Sequence, residues 1–189
     1  MSEQWPGEEP VEDVADEDVA DEDEVPELHE HEHSSEDGIE IPGDVELLEG
    51  EPRSTRRGVG IVASREVPDT TNTMLTAALA ALDDAGVGRE HVTVMLVPGA
   101  FELALGAMAL AKTRRYSCVI ALGDASTDSV IAAEAASGLQ LAGLETGIPV
   151  AFGVLTAGGD AAERGTDAAK RGLEMADLFQ QVRASAKAV

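Results

Sequence analysis

The stretch Val97-Pro98-Gly99-Ala100-Phe101-Glu102 is the clearest candidate for a binding site in the sequence. It follows the apolar run of residues 92–96, and this order predicts a buried strand, a Pro-Gly turn and a helix that begins at Ala100 or Phe101. A helix start presents unpaired backbone N–H groups and the positive end of the helix dipole, which suit a carbonyl oxygen or an anion. Glu102 in the first turn would complement that dipole. An ordinary strand-to-helix turn has the same pattern, so the surrounding sequence must decide between the two interpretations.

Strand and helix patterns alternate around this turn, from residue 53 to the end of the chain. Strands are predicted at residues 59–63, 92–97, 116–122 and 149–155, and helices at 71–85, 101–113, 129–142 and 160–182. Four successive βα units with apolar strands indicate a flavodoxin-like three-layer α/β/α sandwich around a four-stranded parallel sheet. Such sheets bind ligands at the carboxyl ends of their strands. Here those ends fall at residues 64–66, 98–102, 123–127 and 156–160.

Charge divides the chain into two parts near residue 53. Residues 1–52 contain 22 Asp and Glu and no Lys or Arg, including the repeat of residues 12–16 and 17–21, EDVAD. This composition predicts an acidic, mostly disordered extension. Residues 53–189 contain 15 acidic and 13 basic residues and are predicted to form one domain. Within the extension, residues 39–48 are apolar and predict either an ordered strand or a docking motif.

The acidic extension also limits the partners that we expect. It disfavours nucleic acid and anionic membranes and favours cations or basic protein cargo. The run His29-Glu30-His31-Glu32-His33 has the spacing of a weak divalent-cation binder, but a solvated run is the simpler interpretation, so no metal site and no cofactor are predicted. Arg53, Arg56 and Arg57 follow the extension directly, which favours local charge compensation over a separate basic site.

Three further features indicate a cytoplasmic protein. The single cysteine, Cys118, excludes an intrachain disulfide and fits a reducing compartment. We expect no secretory signal, since no N-terminal segment joins a basic start to an apolar core. The longest apolar run, residues 103–111, is too short to span a bilayer.

These motifs, in their order and spacing, resemble the lumazine synthase family, whose members make 6,7-dimethyl-8-ribityllumazine in riboflavin biosynthesis. The resemblance covers residues 58–178, nearly the whole predicted domain. It is carried by residues 61–64 (IVAS), 97–102 (VPGAFE), 121–123 (ALG), 134–138 (EAASG), 148–156 (IPVAFGVLT), 163–164 (ER) and 170–172 (KRG).

The resemblance implies roles for particular residues and an assembly state. It implies that the turn at Ala100, Phe101 and Glu102 holds the ribityl chain and pyrimidine of one substrate. It further implies that Phe152 of a neighbouring subunit lines the pocket and that Arg164 binds the phosphate of a four-carbon keto substrate. Arg171 falls near a lysine of the same pocket. The family also implies a homo-oligomer, either a single pentamer or a 60-subunit shell, and small alanines in the helix at 129–142 would lie at a subunit contact.

The sequence departs from the family pattern at two predicted binding loops. After the third strand the family has a longer loop that carries an arginine and a histidine. Here the loop reads Gly123-Asp124-Ala125-Ser126-Thr127-Asp128 and contains neither. After the first strand, Glu66 stands where the family has an aromatic residue that stacks on the heterocycle. Both loops therefore replace binding groups with carboxylates.

These departures predict a family homologue whose catalysis is impaired or lost and which acts as an assembling scaffold or shell. A positioned general acid or base contributes about 10²–10⁴-fold to a rate, and Asp124 and Asp128 would repel a phosphate dianion. Two alternatives stay open. One is an active lumazine synthase in which Ser126 or Thr127 and Arg164 hold the phosphate, and the other is a non-catalytic binder of a riboflavin-pathway compound.

Overall fold

The central element of the fold is a four-stranded parallel sheet. The computed structural model describes residues 33–34 and 38–186, and within them the main sheet has the strand order β4-β3-β5-β6. A separate antiparallel pair, β1 with β2, precedes it. The strands are β1 (His33–Ser34), β2 (Glu40–Ile41), β3 (Gly58–Ser64), β4 (Val92–Val97), β5 (Tyr116–Asp124) and β6 (Val150–Leu155). The sheet confirms the predicted parallel α/β architecture.

Helices cover both faces of the main sheet. One apolar core joins α1 and α4 to one face, and a second joins α2 and α3 to the other. The helices are α1 (Pro68–Asp84), α2 (Leu103–Lys112), α3 (Ser129–Thr146) and α4 (Ala161–Ser185). None of these helices combines the length and apolarity that crossing a bilayer requires. All four begin at the carboxyl ends of strands, so that their N-termini surround the edge of the sheet where a ligand is expected.

Local sequence explains where the helices begin. Proline occupies the first position of α1, where its missing N–H costs no hydrogen bond. Asp128 caps α3 and Asp160 caps α4, each through a side-chain oxygen that accepts backbone N–H bonds. The close contact of α4 with α1 depends on Gly165, because a side chain there would collide with the backbone carbonyl of Met74.

Two local predictions around β4 are wrong. Helix α2 begins at Leu103 rather than at Ala100 or Phe101, since residues 100–102 form turns and Glu102 precedes the first helical residue. Strand β4 is not buried: it is an edge strand, and Val94 and Leu96 are 40% and 64% exposed. Alternate residues of a strand point to opposite faces, and the face that these two side chains share is covered only at Val92, which packs against the core on the α1 and α4 side.

The segment that leads into the domain lies along α4. Gln181 Nε2 donates to the Glu49 carbonyl at 2.8 Å, and the Asp177 carboxylate accepts from the Glu51 N–H at 3.2 Å and from Arg53 Nε at 2.9 Å. Burial raises the pKa of Asp177, but hydrogen bonds from Arg53, Gln181 and Glu51 outweigh it and hold the pKa below its usual value. This contact fixes the point at which the acidic extension joins the domain.

Only part of the acidic extension falls within the described residues. Of the predicted strand or docking motif at 39–48, Glu40–Ile41 pairs with His33–Ser34 and makes no pairing with the main sheet. Residues 1–32 and 35–37 lie outside the described residues, so the predictions for residues 29–32 and for disorder of the extension stay predictions. The domain boundary at residue 53 also stays a prediction.

Candidate functional site

A cavity of about 640 Å³ opens at the carboxyl ends of β3, β4 and β5. It brings together the predicted turn after β4, Glu66 after β3 and the short loop after β5. Its lining residues are Glu66, Val67, Pro98, Gly99, Ala100, Phe101, Glu102, Asp124, Ala125, Ser126, Thr127, Asp128 and Ile131. Four of them are acidic and none is Lys, Arg or His, so the cavity has an acidic lining.

The turn after β4 keeps its backbone conformation through its own carboxylate. The N–H of Gly99 donates to Glu102 Oε2 at 2.9 Å, so Glu102 binds the turn instead of capping α2. A Cβ atom on Gly99 would lie 2.9 Å from Glu66 Oε2 and 3.1 Å from Glu102 Oε2, and both carboxylates therefore converge on this glycine. Ala100 is buried, whereas Phe101 is 60% exposed in the cavity.

Three backbone donors of the same turn remain available for a ligand. The N–H groups of Ala100, Phe101 and Glu102 have no acceptor within the part of the chain that the structure describes. Unpaired N–H groups that precede a helix suit a carbonyl oxygen or an anion. The family resemblance implies that residues 100–102 hold a polar substrate, and this role stays a prediction.

At the loop after β5, by contrast, the chain's own carboxylates occupy three of the backbone donors. Asp124 Oδ1 accepts from the Ser126 N–H at 2.9 Å. Asp128 Oδ1 accepts from the N–H groups of Val130 at 2.9 Å and Ile131 at 3.1 Å, which are the second and third N–H groups of α3. A phosphate at this helix N-terminus would need those same N–H groups. The two aspartates thus take the place that a bound anion would have.

Asp124 stays ionised at neutral pH. Partial burial raises its pKa, but hydrogen bonds from Ser126 and from the Thr70 side chain together hold the pKa below the usual range. The negative charge of this carboxylate is therefore a constant part of the cavity across the physiological pH range. Bringing a phosphate dianion close to it costs electrostatic energy, since like charges in a partly buried site repel.

The other three predicted binding residues do not line the cavity of their own chain. Phe152 is half-buried on β6 and packs against the core on the α2 and α3 side. Arg164 is half-buried in the first turn of α4, beyond the end of β6. Arg171 lines a separate apolar groove of about 360 Å³ between α3 and α4, and its guanidinium is 3.4 Å from the Asp167 carboxylate. The single chain thus brings together only part of the predicted site.

No histidine of the described domain is placed to transfer a proton in the cavity. His91 precedes β4 and therefore lies at the amino end of this strand, whereas the cavity lies at the carboxyl end. The six residues of β4 separate the two ends by about 20 Å. The acidic groups Glu66 and Glu102 are the titratable side chains nearest to the turn.

Comparison with known proteins identifies the family. The family model described as 6,7-dimethyl-8-ribityllumazine synthase matches residues 57–180. The chain belongs to the lumazine synthase family. Membership confirms the resemblance seen in the sequence and places the chain in a family of riboflavin biosynthesis whose members are generally oligomeric.

Three curated lumazine synthases show how far the similarity extends. The protein of Syntrophus aciditrophicus is 38% identical over 138 residues, which cover 65% of this chain and 90% of the relative. The protein of Chlorobium phaeobacteroides is 37% identical over 153 residues, which cover 73% and 99%. The protein of Yersinia pestis is 37% identical over 153 residues, which cover 72% and 98%. Nearly the whole length of these lumazine synthases is therefore represented in this chain.

Sequence reasoning missed some residues of the site. Val67 and Ile131 supply apolar walls of the cavity. The capping role of Asp128 was also missed, although an aspartate directly before a helical pattern is a recognisable signal. The bond from Gly99 to Glu102 has no comparable signal, because it depends on the turn continuing past residue 101.

Proposed function

We propose that this chain is a lumazine synthase homologue with impaired or lost catalysis that assembles into a pentamer-based scaffold or shell. One observation carries the proposal: in the cavity, carboxylates of the chain occupy the N–H donors of Ser126, Val130 and Ile131. The cavity has no cationic side chain of its own to offset them. A phosphorylated four-carbon substrate would meet repulsion where family members offer donors.

Within the described residues, the cavity also lacks a histidine that could transfer a proton during catalysis. The family condensation needs a general acid or base, and the described residues that line the cavity include carboxylates but no histidine. Loss of such a group reduces a rate by about 10²–10⁴-fold. Positioning of two reactive small molecules can still accelerate their condensation, so the proposal includes a low residual rate.

Exposed apolar side chains support an assembly in which subunits complete each other's sites. Val94 and Leu96 on the edge strand β4 are exposed, and so is Leu144 on α3, at 74%. Apolar patches of this kind mark protein contact surfaces. In the proposed homo-oligomer, Phe152 and Arg164 of one subunit reach the cavity of the next. A pentamer and a closed shell of twelve pentamers both meet this requirement.

An active lumazine synthase is the second candidate function, and a specific observation favours it. The free N–H groups of residues 100–102 keep the geometry for binding a polar substrate. The hydroxyls of Ser126 and Thr127 line the same cavity. With Arg164 supplied by a neighbouring subunit, these groups would hold a phosphate despite the aspartates. A site that binds a riboflavin-pathway compound without converting it would use the same donors.

The location and partners of the protein are part of the proposal. The Cys118 thiol is fully buried, and burial raises its pKa to about 12, which leaves it unreactive. This suits a protein of the cytoplasm. The acidic extension would recruit cations or basic protein cargo.

Two measurements test the proposal. The purified protein is incubated with the ribitylaminopyrimidine and the four-carbon keto phosphate, and lumazine formation is followed by absorbance. Turnover comparable to that of the Syntrophus aciditrophicus enzyme would contradict impaired catalysis. Multi-angle light scattering of the same sample measures the assembly, and a monomer would contradict the scaffold.

A further inference from the structure

A group of basic side chains lies at the amino ends of the strands, opposite the acidic cavity. Arg56 and Arg57 directly precede β3, and Arg114 and Arg115 directly precede β5. Strands β3 and β5 are parallel neighbours with Gly58 opposite Tyr116, so the two arginine pairs lie side by side. All four side chains are exposed. We call the following set the basic edge: Arg56, Arg57, Lys112, Arg114, Arg115 and Arg183.

Part of the basic edge is a concave surface. A cavity of about 480 Å³ is lined by Arg56, Arg57 and Arg183 together with polar side chains of Ser117 and Gln180. Arg183 is held in place, since it donates to the Gly147 carbonyl at 2.9 Å and its guanidinium lies 5.7 Å from the centre of the Phe179 ring. This geometry gives the edge a defined pocket for carboxylates.

The basic edge has no carboxylate partner in the described domain. No ion pair within 4.0 Å joins Arg56, Arg57, Arg114, Arg115 or Arg183 to an acidic residue among residues 38–186. Arg53, next to the edge, is already paired with Asp177 at 2.8 Å, and Arg89 is paired with Asp83. No carboxylate of the described domain therefore neutralises the positive charge of these exposed guanidinium groups.

We infer that the acidic repeat of residues 12–24 of this chain docks on the basic edge. That segment, EDVADEDVADEDE, contains nine acidic residues and no basic residue. The described chain returns to this end of the sheet at Arg53, and the cavity that contains Arg53 adjoins the one formed by Arg56 and Arg183. The repeat is thus tethered beside a surface of opposite charge.

The length of the tether permits the contact. Eight residues lie between residue 24 and β1. The nine steps from residue 24 to residue 33 span about 30 Å when the chain is extended, compared with a radius of gyration of about 14 Å for a domain of this size. A short tether also maintains an effective concentration in the millimolar range. The acidic cavity at the opposite edge repels the same segment, which leaves the basic edge as the complementary surface.

Docking would make the acidic extension a regulated binding segment. A basic partner must compete with the basic edge for residues 12–24, so recruitment would need a partner with more positive charge than the six side chains of the edge. Salt weakens the docked state, because the Debye length falls from about 10 Å at 0.1 M to about 3 Å at 1 M. The contact consists of exposed charges and is therefore reversible.

Zero-length cross-linking of the full-length protein tests the inference. A carbodiimide joins carboxylates to lysine amines within contact distance, and mass spectrometry identifies the linked residues. Lys112 belongs to the basic edge, and the exposed Lys170 on α4 serves as the internal control. We expect links from residues 12–24 to Lys112 at low salt, with about tenfold or greater loss in the variant R56E/R57E or at 1 M salt.

The control variant R65E/R164E makes the same change in net charge at the opposite edge and should keep the links to Lys112. Circular dichroism confirms that both variants are folded. Equal linking to Lys112 and Lys170, or links to Lys112 that survive R56E/R57E, would overturn the inference. Equal loss of the links in R65E/R164E would also overturn it, because net charge alone would then explain the effect.

Discussion

Removing the two aspartate charges from the cavity loop should create measurable phosphate binding. The variant D124N/D128N keeps a side-chain oxygen at both positions, and this oxygen can accept the backbone bonds that the carboxylates accept now. Asparagine also caps a helix about as well as aspartate. A change in phosphate affinity would therefore report the lost charge and not a lost loop structure.

The expected size of the effect follows from the charges in the cavity. If a phosphate dianion is taken to lie about 8 Å from each carboxylate, each pair repels by about 1 kcal/mol in a water-like dielectric. Removing both charges thus gains about 2 kcal/mol, or about 30-fold in Kd. The variant D124N/D128G also frees the N–H groups of Val130 and Ile131. It should bind more tightly still, at a cost of a few tenths of a kcal/mol in helix stability.

Isothermal titration calorimetry with inorganic phosphate measures these affinities. The matched control D44N/D84N removes two exposed carboxylates outside the cavity and should bind phosphate like the unmodified protein. The reasoning fails if the unmodified protein already binds phosphate as tightly as D124N/D128N. It also fails if the control gains as much affinity as the cavity variant, since the effect would then come from overall charge.

Three further predictions concern the fold and its surfaces. Gly165→Ala should lower the free energy of unfolding in urea by about 1–3 kcal/mol, because the added methyl group forces α4 away from α1. Gly143→Ala is the control in α3 and should be neutral or stabilising, since its nearest neighbours lie at 3.5–3.8 Å. The Asp177 contact should stabilise the protein fully above the unfolded pKa of about 3.9 and lose its effect as pH falls towards the lower folded pKa. Asp177→Asn should remove this part of the acid sensitivity in a pH series of thermal melts, and an unchanged series would contradict the role of Arg53 as its partner. Leu96→Lys on the exposed edge strand should reduce the assembly size in light scattering, whereas an unchanged size would place the subunit contact elsewhere.

The fold was largely predictable because apolar strands and helical patterns alternate regularly. The bounds of β4 were predicted correctly at residues 92–97, since a Pro-Gly pair ends the strand. The burial of β4 was predicted wrongly, because an apolar run looks the same in a central strand and in an edge strand whose side chains are exposed. The start of α2 was also missed, as no residue of the turn at 100–102 carries a distinct capping signal.

The site was predictable as a set of loops but not as a set of contacts. The carboxyl ends of parallel strands meet at one edge, so Glu66, Glu102 and Asp124 could be placed together from sequence order alone. That Asp124 binds the Ser126 N–H depends on the path of the backbone, which the sequence does not specify. The capping of α3 by Asp128 could have been predicted, because an aspartate directly before a helical pattern is a recognisable signal. In the proposed oligomer, Phe152 and Arg164 would reach the cavity of a neighbouring subunit, and the pattern of a single chain does not specify such a contact.

The most direct test of the account is the rate of lumazine formation by this protein beside that of the Chlorobium phaeobacteroides enzyme, at equal subunit concentration and with both substrates saturating. The central claim is that carboxylates have replaced the phosphate donors and the proton-transfer group of the cavity. It predicts a turnover at least about 100-fold lower for this protein. A turnover within a few-fold of the Chlorobium phaeobacteroides enzyme would contradict the claim and establish an active lumazine synthase.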